Sequence, residues 1–62
     1  MNKIVKILMR RDNLTEEEAQ AVYEDAKEQI LEAAESGSYE EAEEIMYSEL
    51  GLEMDYLFDV LY

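Results

Sequence analysis

Carboxylates are the most abundant chemically active side chains in this sequence, with 17 Asp and Glu among 62 residues against 5 Lys and Arg. His and Cys are absent, which excludes Cys-His and Ser-His nucleophile pairs, imidazole or thiolate metal sites, and disulfides. A carboxyl group could act as a general acid or base, but burial would have to shift its pKa. Every acid here falls on a polar helix face or near a helix end. We therefore expect a protein that is not an enzyme and has no cofactor or metal site.

The chemistry that remains is electrostatic recognition by clustered carboxylates. The acidic stripe of the predicted second helix lies within about 80° at 100° per residue, with Asp25 at its edge, and consists of Glu17, Glu24, Glu28, Glu32 and Glu35. It is about 27 Å long at 1.5 Å per residue, and the next helix adds Glu40, Glu43 and Glu44. The residues expected to contact a partner protein with a basic surface are Glu24, Glu28, Glu32, Glu35, Glu40 and Glu44.

Two interpretations of the acidic stripe remain open. It could imitate nucleic-acid phosphates in front of the basic channel of a nuclease, or it could be a solvated face that keeps a small protein soluble. Six carboxylates give about one charge per 5 Å, whereas one DNA strand offers about one per 3.4 Å, so helix 3 or a second subunit would have to complete the imitation. Segregation of charge favours the functional interpretation. Residues 28–62 carry eleven acids and no base, and because these like charges repel one another and cost stability, we expect that something offsets this cost or selects for it.

The net charge of −12 argues against direct binding to nucleic acid or to an anionic membrane, since both require a positive face. The longest unbroken apolar runs are three residues long, so no segment is expected to span a bilayer. The start of the chain lacks the apolar region of a signal peptide. With no Cys to form disulfides, we expect a cytoplasmic protein.

Four helices are predicted to position these side chains, in a single all-α domain over residues 1–62 built as a compact bundle with a central αα-hairpin. Helix 1 is expected at about residues 2–11, and Asp12-Asn13 should end it. Helix 2 should follow the cap residue Thr15 and end at Ser36-Gly37. Helix 3 should run from Ser38 to Gly51, and helix 4 from about Met54 to the end. The predicted core stripes of helices 2 and 3 are Ala19, Val22, Tyr23, Ala26, Ile30, Ala33 and Ala34, and Tyr39, Ala42, Ile45, Met46 and Leu50.

Local signals support these boundaries. Thr15 with Glu18, and Ser38 with Glu41, each have the spacing of a capping box, in which each residue binds the other's backbone amide. Gly37 is the expected left-handed residue after helix 2. The connection between helices 2 and 3 is so short that they should pair as a tight hairpin.

Apolar side chains exceed what one small core needs. The apolar arcs of helices 1 and 4 cover about 200° and 240°, and the residues expected to support self-association or docking are Tyr47, Tyr56, Phe58 and Tyr62. We expect a homodimer with helices 1 and 4 at the seam, because a chain of this length buries only about 60% of its unfolded surface. The alternative is that helix 4 is the central helix of the monomer.

A basic stripe on helix 1 contains Lys3, Lys6 and Arg10, with Arg11 nearby. Three positive charges beside such an excess of acids make contact with nucleic acid unfavourable. We expect these bases to pair with acids of helix 2 or 3, within the chain or across a dimer, where exposed pairs contribute about 0–1 kcal/mol each.

Two segments carry a resemblance that covers nearly all of the chain: residues 9–19 (MRRDNLTEEEA) and residues 50–61 (LGLEMDYLFDVL). Together they resemble short acidic proteins encoded by phages and mobile elements of Gram-positive bacteria. Those proteins often have Gly at the position of Asn13 and Pro at that of Met54, and neither departure disturbs the predicted fold. The resemblance implies a genomic setting in which small acidic proteins are often inhibitors of host defences, including CRISPR nucleases and restriction systems. It assigns no role to a residue.

The first function expected is therefore a small acidic phage-type inhibitor that occludes a basic nucleic-acid-handling surface of a host defence protein, in the manner of anti-CRISPR or anti-restriction proteins and with possible DNA mimicry. The alternative is a structural or regulatory interaction module that docks through its aromatic C-terminal surface. A third possibility is an acidic accessory protein with no tight partner. Salt separates the first two, because only electrostatic binding weakens steeply as salt rises.

Overall fold

Helix α1 (Lys3–Asp12) opens the computed structural model, which describes residues 2–61. The Asn2 side chain caps it by accepting a hydrogen bond from the Ile4 amide at 2.7 Å. The helix ends at Asn13, whose backbone is left-handed at φ 54°, and the Leu14 amide then donates to the Met9 carbonyl at 3.2 Å. The predicted turn at Asn13 is confirmed.

Helix α2 (Glu16–Glu35) has both halves of the predicted capping box. The Thr15 amide donates to the Glu18 carboxylate at 2.9 Å, and the Glu18 amide donates to the Thr15 hydroxyl at 3.1 Å. The helix ends at the predicted place, because Gly37 takes a left-handed φ of 86° and the Ser38 amide donates to the Ala33 carbonyl at 3.0 Å. With 20 residues, α2 is about 30 Å long, close to the 33 Å long axis of the molecule.

Helix α3 (Tyr39–Ile45) is shorter than predicted and continues as a π-helical turn (Met46–Leu50) up to the left-handed Gly51. Its predicted capping box is half formed. The Glu41 amide donates to the Ser38 hydroxyl at 3.3 Å, but the Ser38 amide already serves the end of α2 and is not available to the Glu41 side chain. The prediction of a complete second box is therefore wrong, because the Ser38 amide donates to the Ala33 carbonyl at the end of α2.

The last part of the chain is a 3₁₀ turn (Met54–Tyr56) followed by α4 (Leu57–Leu61). The predicted start near Met54 is confirmed, although the first turn is wound more tightly than an α-helix. Tyr62, which was expected in helix 4, lies outside the described residues. The fold is all-α, with four α-helices and no strand over residues 2–61.

Helix α2 is the central element, since it contacts α1, α3, the π-helical turn and α4. Helix α4 contributes two buried residues, Leu57 and Val60, so it is not the central helix of the monomer. The buried core is formed by Ile4, Val5, Leu8, Ala19, Tyr23, Ala26, Ile30, Ala33, Ala42, Met46, Leu50, Leu52, Leu57 and Val60.

Two residues placed in the core by the sequence are on the surface instead. Val22 is 39% exposed and Tyr39 is 54% exposed. Val22 lies at the edge of the buried face of α2, and Tyr39 is the first residue of α3, where the neighbouring helix has already ended. Helix α1 shows the opposite deviation, because Ile7 and Met9 also pack against the core. Its wide apolar arc is therefore used within one chain.

The bases of α1 bind partners that the sequence did not indicate. Lys3 pairs with Asp59 of α4 at 3.8 Å, and Arg11 pairs with its neighbour Asp12 at 2.8 Å. Arg11 also donates to the Gly51 carbonyl at 3.3 Å. Among residues 2–61, no base of α1 forms the expected ion pair with an acid of helix 2 or 3, because α1 lies beside the C-terminal segment as well as beside α2.

Within residues 2–61, no helix combines the length and the apolar character needed to cross a membrane.

Candidate functional site

The acidic stripe lies along the solvent side of α2, opposite its buried residues. The six predicted partner-binding acids are all exposed: Glu24, Glu28, Glu32, Glu35, Glu40 and Glu44. Neither of the two ion pairs between side chains of residues 2–61 includes any of them. Their charges face water and repel one another where they are spaced by four residues, as Glu24, Glu28 and Glu32 are.

The neighbours of the stripe leave it negative. Gln20 donates to Glu24 at 2.9 Å, which orients that carboxylate without neutralising it. Lys27 is the single positively charged residue of α2. Its ammonium group lies 5.9 Å from the centre of the Tyr23 ring, where the ring face attracts a cation. Lys27 is thus directed toward the buried side of α2. The described part of the chain presents a long negative face with no cation on it.

The six predicted acids do not form one continuous site. A cleft between α2 and α3 of about 280 Å³ contains Glu32 together with Glu41. Glu40 and Glu44 line a different cleft with Glu43, Tyr47 and Ser48. The acid that extends the stripe across the hairpin is therefore Glu41, which the sequence analysis did not select. Its position, three residues after the Ser38 cap and facing the end of α2, is the signal that could have identified it.

The predicted aromatic set (Tyr47, Tyr56, Phe58 and Tyr62) is divided by the fold. Tyr47 is 75% exposed and Phe58 is 65% exposed, whereas Tyr56 packs against the core. Tyr62 lies outside the described residues. Among residues 2–61, the large exposed apolar side chains other than Val22 follow α2 in the chain, and none lies on α1, which was expected to share the dimer seam.

A groove joins α3 to the last segment of the chain. This C-terminal groove has a volume of about 290 Å³ and is lined by Tyr39, Glu43, Met54, Leu57 and Phe58. Glu43 also borders the neighbouring cleft that contains Tyr47, so the two depressions adjoin. Tyr39 and Met54 were not predicted to belong to a site, because one was assigned to the core and the other to the start of a helix.

Within residues 2–61, the pKa values of two carboxyl groups are shifted, and both shifts have structural causes. The backbone amide of Thr15, and then its side chain, lower the pKa of Glu18 within the capping box. The hydrogen bonds from Arg11 lower the pKa of Asp12, and the same contact raises the pKa of Arg11. These groups secure helix ends, so their shifts do not indicate catalysis.

Among residues 2–61, Asp and Glu side chains nowhere form a group of three or more that could hold a metal ion. Comparison of the chain with protein-family models, with curated proteins and with solved structures found no match.

Proposed function

We propose that this protein is a small acidic inhibitor, encoded by a phage or another mobile element, that covers a basic nucleic-acid-handling surface of a host defence protein. The acidic stripe would take positions otherwise occupied by nucleic-acid phosphates, so inhibition would be both steric and electrostatic. CRISPR nucleases and restriction enzymes, which must bind DNA or RNA, are the class of target. The inhibitor would act in the host cytoplasm.

The observation that supports this function is the solvent-facing row of carboxylates on α2, whose members make no ion pair within residues 2–61. Solubility alone is served by mixed charges with a net magnitude of about 2–8 in a small domain, whereas this chain has −12. An uncompensated negative face attracts a basic partner from a distance and accelerates its association. Glu41 extends this face from α2 onto α3 through the shared cleft.

The test is a cleavage assay with a panel of purified CRISPR nucleases and restriction enzymes, with and without the protein. We expect inhibition of at least one enzyme, competition with its nucleic acid, and a steep loss of binding between about 50 and 200 mM salt. The charge-reversal variant Glu28→Lys/Glu32→Lys should abolish inhibition. Its matched control is Glu49→Lys/Glu53→Lys, which makes the same change in net charge at exposed acids outside the stripe.

Inhibition that survives Glu28→Lys/Glu32→Lys would rule out the stripe mechanism. Equal loss in both variants would also contradict it, because net charge and not the stripe would then be responsible.

The exposure of Tyr47 and Phe58 supports a second candidate function, which is a structural or regulatory module that docks through its C-terminal aromatic surface to a second copy or to another protein. Exposed aromatic rings are common interface anchors because they bury a large area and lose little conformational freedom. Binding would then change little with salt and would fail in Phe58→Ala. Tyr56→Ala is less informative, since Tyr56 also packs against the core. Light scattering at several concentrations tests the homodimer.

A further inference from the structure

The walls of the C-terminal groove are formed largely by apolar side chains. Leu57 forms its buried part, while Met54 is 59% exposed and Tyr39 and Phe58 are more than half exposed. Scattered apolar side chains are normal on protein surfaces, but several large ones around one concave site indicate a binding surface. At about 290 Å³, the groove can accept a few side chains of a partner and not a whole domain.

The surroundings of the groove are acidic. Glu43 lines it directly, and Glu40 and Glu44 line the cleft that adjoins it. Asp55 follows Met54 in the chain and is exposed. Among the described residues that line the two clefts, none is basic.

We propose that the C-terminal groove binds an amphipathic protein segment in which one or two large apolar side chains are flanked by Lys or Arg. The apolar side chains would enter between Met54, Leu57 and Phe58, and the flanking cations would face Glu43 and the carboxylates beside it. This is helix-in-groove recognition, in which the apolar face supplies affinity and the charged border selects the partner.

Charge complementarity favours such a segment over a second copy of this chain. In a two-fold symmetric contact the same patch meets itself, so Glu43 and its acidic neighbours would approach their own counterparts. A basic segment meets the same carboxylates with the opposite sign. This site is separate from the acidic stripe on α2, so it can exist whether or not the stripe inhibits a nuclease.

The probe is a fluorescein-labelled helical peptide of Leu and Lys, about four turns long, with Leu at the i, i+3, i+4 and i+7 positions. Binding to the full chain is measured by fluorescence anisotropy, and the binding site is located from shifts in the NMR signals of the Met54 methyl group. A scrambled peptide of the same composition keeps the charge and removes the apolar face. A peptide with Glu in place of Lys keeps the apolar face and reverses the charge.

Met54→Ser and Phe58→Ser should each weaken binding of the Leu-Lys peptide about tenfold or more. Their matched control is Val22→Ser, an exposed apolar residue on α2, which should change binding less than about twofold. Glu43→Gln should weaken binding about two- to threefold, whereas Glu24→Gln in the stripe should have a smaller effect. Circular dichroism of every variant establishes that the fold is kept.

Three results would overturn the proposal. Equal binding of the scrambled or the Glu-containing peptide would show that the groove does not select a basic amphipathic segment. Unchanged binding in Met54→Ser and Phe58→Ser would place the peptide elsewhere. A dimer in light scattering that Met54→Ser converts to a monomer would identify a second copy as the occupant.

Discussion

The two halves of the molecule differ in regularity and in composition, since all five Lys and Arg residues lie within residues 3–35 and none lies within residues 39–61. Residues 3–35 form two regular α-helices, each capped by a side chain at its start and closed by a left-handed residue after its end. Residues 39–61 form in turn an α-helix, a π-helical turn, a 3₁₀ turn and a second α-helix, and they leave large apolar side chains exposed at Tyr39, Tyr47, Met54 and Phe58. A regular helix holds the acidic stripe in fixed spacing, whereas the irregular half places apolar side chains at the surface. The acidic stripe and most of the exposed apolar side chains thus lie in different parts of the chain.

The largest effect is expected in the core that joins the halves. Ile30 lies on α2 and is fully buried, and Ile30→Ala should lower the free energy of unfolding by about 2–5 kcal/mol, because it removes transfer energy and leaves a cavity. Urea unfolding followed by circular dichroism measures the loss. Val22→Ala on the same helix is the control and should cost far less. A small effect of Ile30→Ala would mean that α2 is not the central helix.

Two left-handed glycines provide the next comparison, Gly37 after α2 and Gly51 after the π-helical turn. Gly37→Ala and Gly51→Ala should each cost about 1–2 kcal/mol, since a Cβ is strained at positive φ. Space around Gly37 is open, but a Cβ at Gly51 would lie 2.9 Å from Arg11 Nη1. Gly51→Ala should therefore also displace the Arg11 side chain. Measuring the cost of Gly51→Ala in an Arg11→Ala background isolates the share of the lost stability that comes from this displacement. Equal unfolding midpoints for wild type and both Gly variants would contradict the left-handed geometry.

The two N-caps of the hairpin helices differ in completeness. Thr15→Ala removes the hydroxyl that accepts a hydrogen bond from the Glu18 amide at 3.1 Å, although the backbone amide at position 15 can still donate to Glu18. Losing this half of the reciprocal box should lower the free energy of unfolding by about 1 kcal/mol. Ser38→Ala removes a single bond of 3.3 Å and should cost about half as much. Thermal and urea unfolding give both values. A larger loss for Ser38→Ala would show that the half-formed cap of α3 is the more important one.

The capping box should also make stability depend on pH. Because the Thr15 amide lowers the pKa of Glu18 in the folded state, the stabilisation is complete above the unfolded pKa and is lost as pH falls through the folded pKa. The difference in unfolding free energy between wild type and Glu18→Gln should therefore shrink from pH 7 to pH 3. Glu17→Gln, in the same turn but without the Thr15 bond, is the control. A difference that stays constant with pH would contradict the assignment.

The smallest effect is expected in the acidic stripe. Glu28→Gln/Glu32→Gln removes like-charge repulsion at four-residue spacing and should raise the free energy of unfolding by about 0.2–0.5 kcal/mol per pair. The double variant Glu49→Gln/Glu53→Gln changes net charge equally without removing such a pair within an α-helix. Calorimetry at low salt resolves the difference, which should disappear as salt screens the charges. A destabilised Glu28→Gln/Glu32→Gln variant would mean that the stripe supports the fold.

Features set by neighbouring residues were predictable from the sequence. The Thr15 box, the turn at Asn13 and the helix end at Gly37 depend on a few side chains and on backbone conformations that Asn and Gly tolerate. Their energies are local, so the sequence pattern alone indicates them. The all-α fold with its central hairpin follows from helical periodicity and the short connection between helices 2 and 3.

Features set by packing between distant segments were not predictable. The exposure of Tyr39, the partner of Lys3 and the place of Glu41 in the hairpin cleft depend on which helix lies opposite. Helical periodicity assigns a residue to one face of a helix, but it does not indicate how far along that face another helix packs against it. The sequence therefore predicts which types of residue form the candidate site, namely carboxylates and aromatic side chains. It identifies only some of the individual residues.

The three-residue connection between α2 and α3 also has a kinetic consequence. Helices that are adjacent in the chain and pair through so short a turn form contacts at small sequence separation, which lowers the entropy lost in closing the chain. We expect the hairpin to assemble first and the ends of the chain to dock onto it, with relaxation in microseconds to milliseconds after a temperature jump. A newly synthesised chain of this kind would therefore fold within about milliseconds of its release from the ribosome.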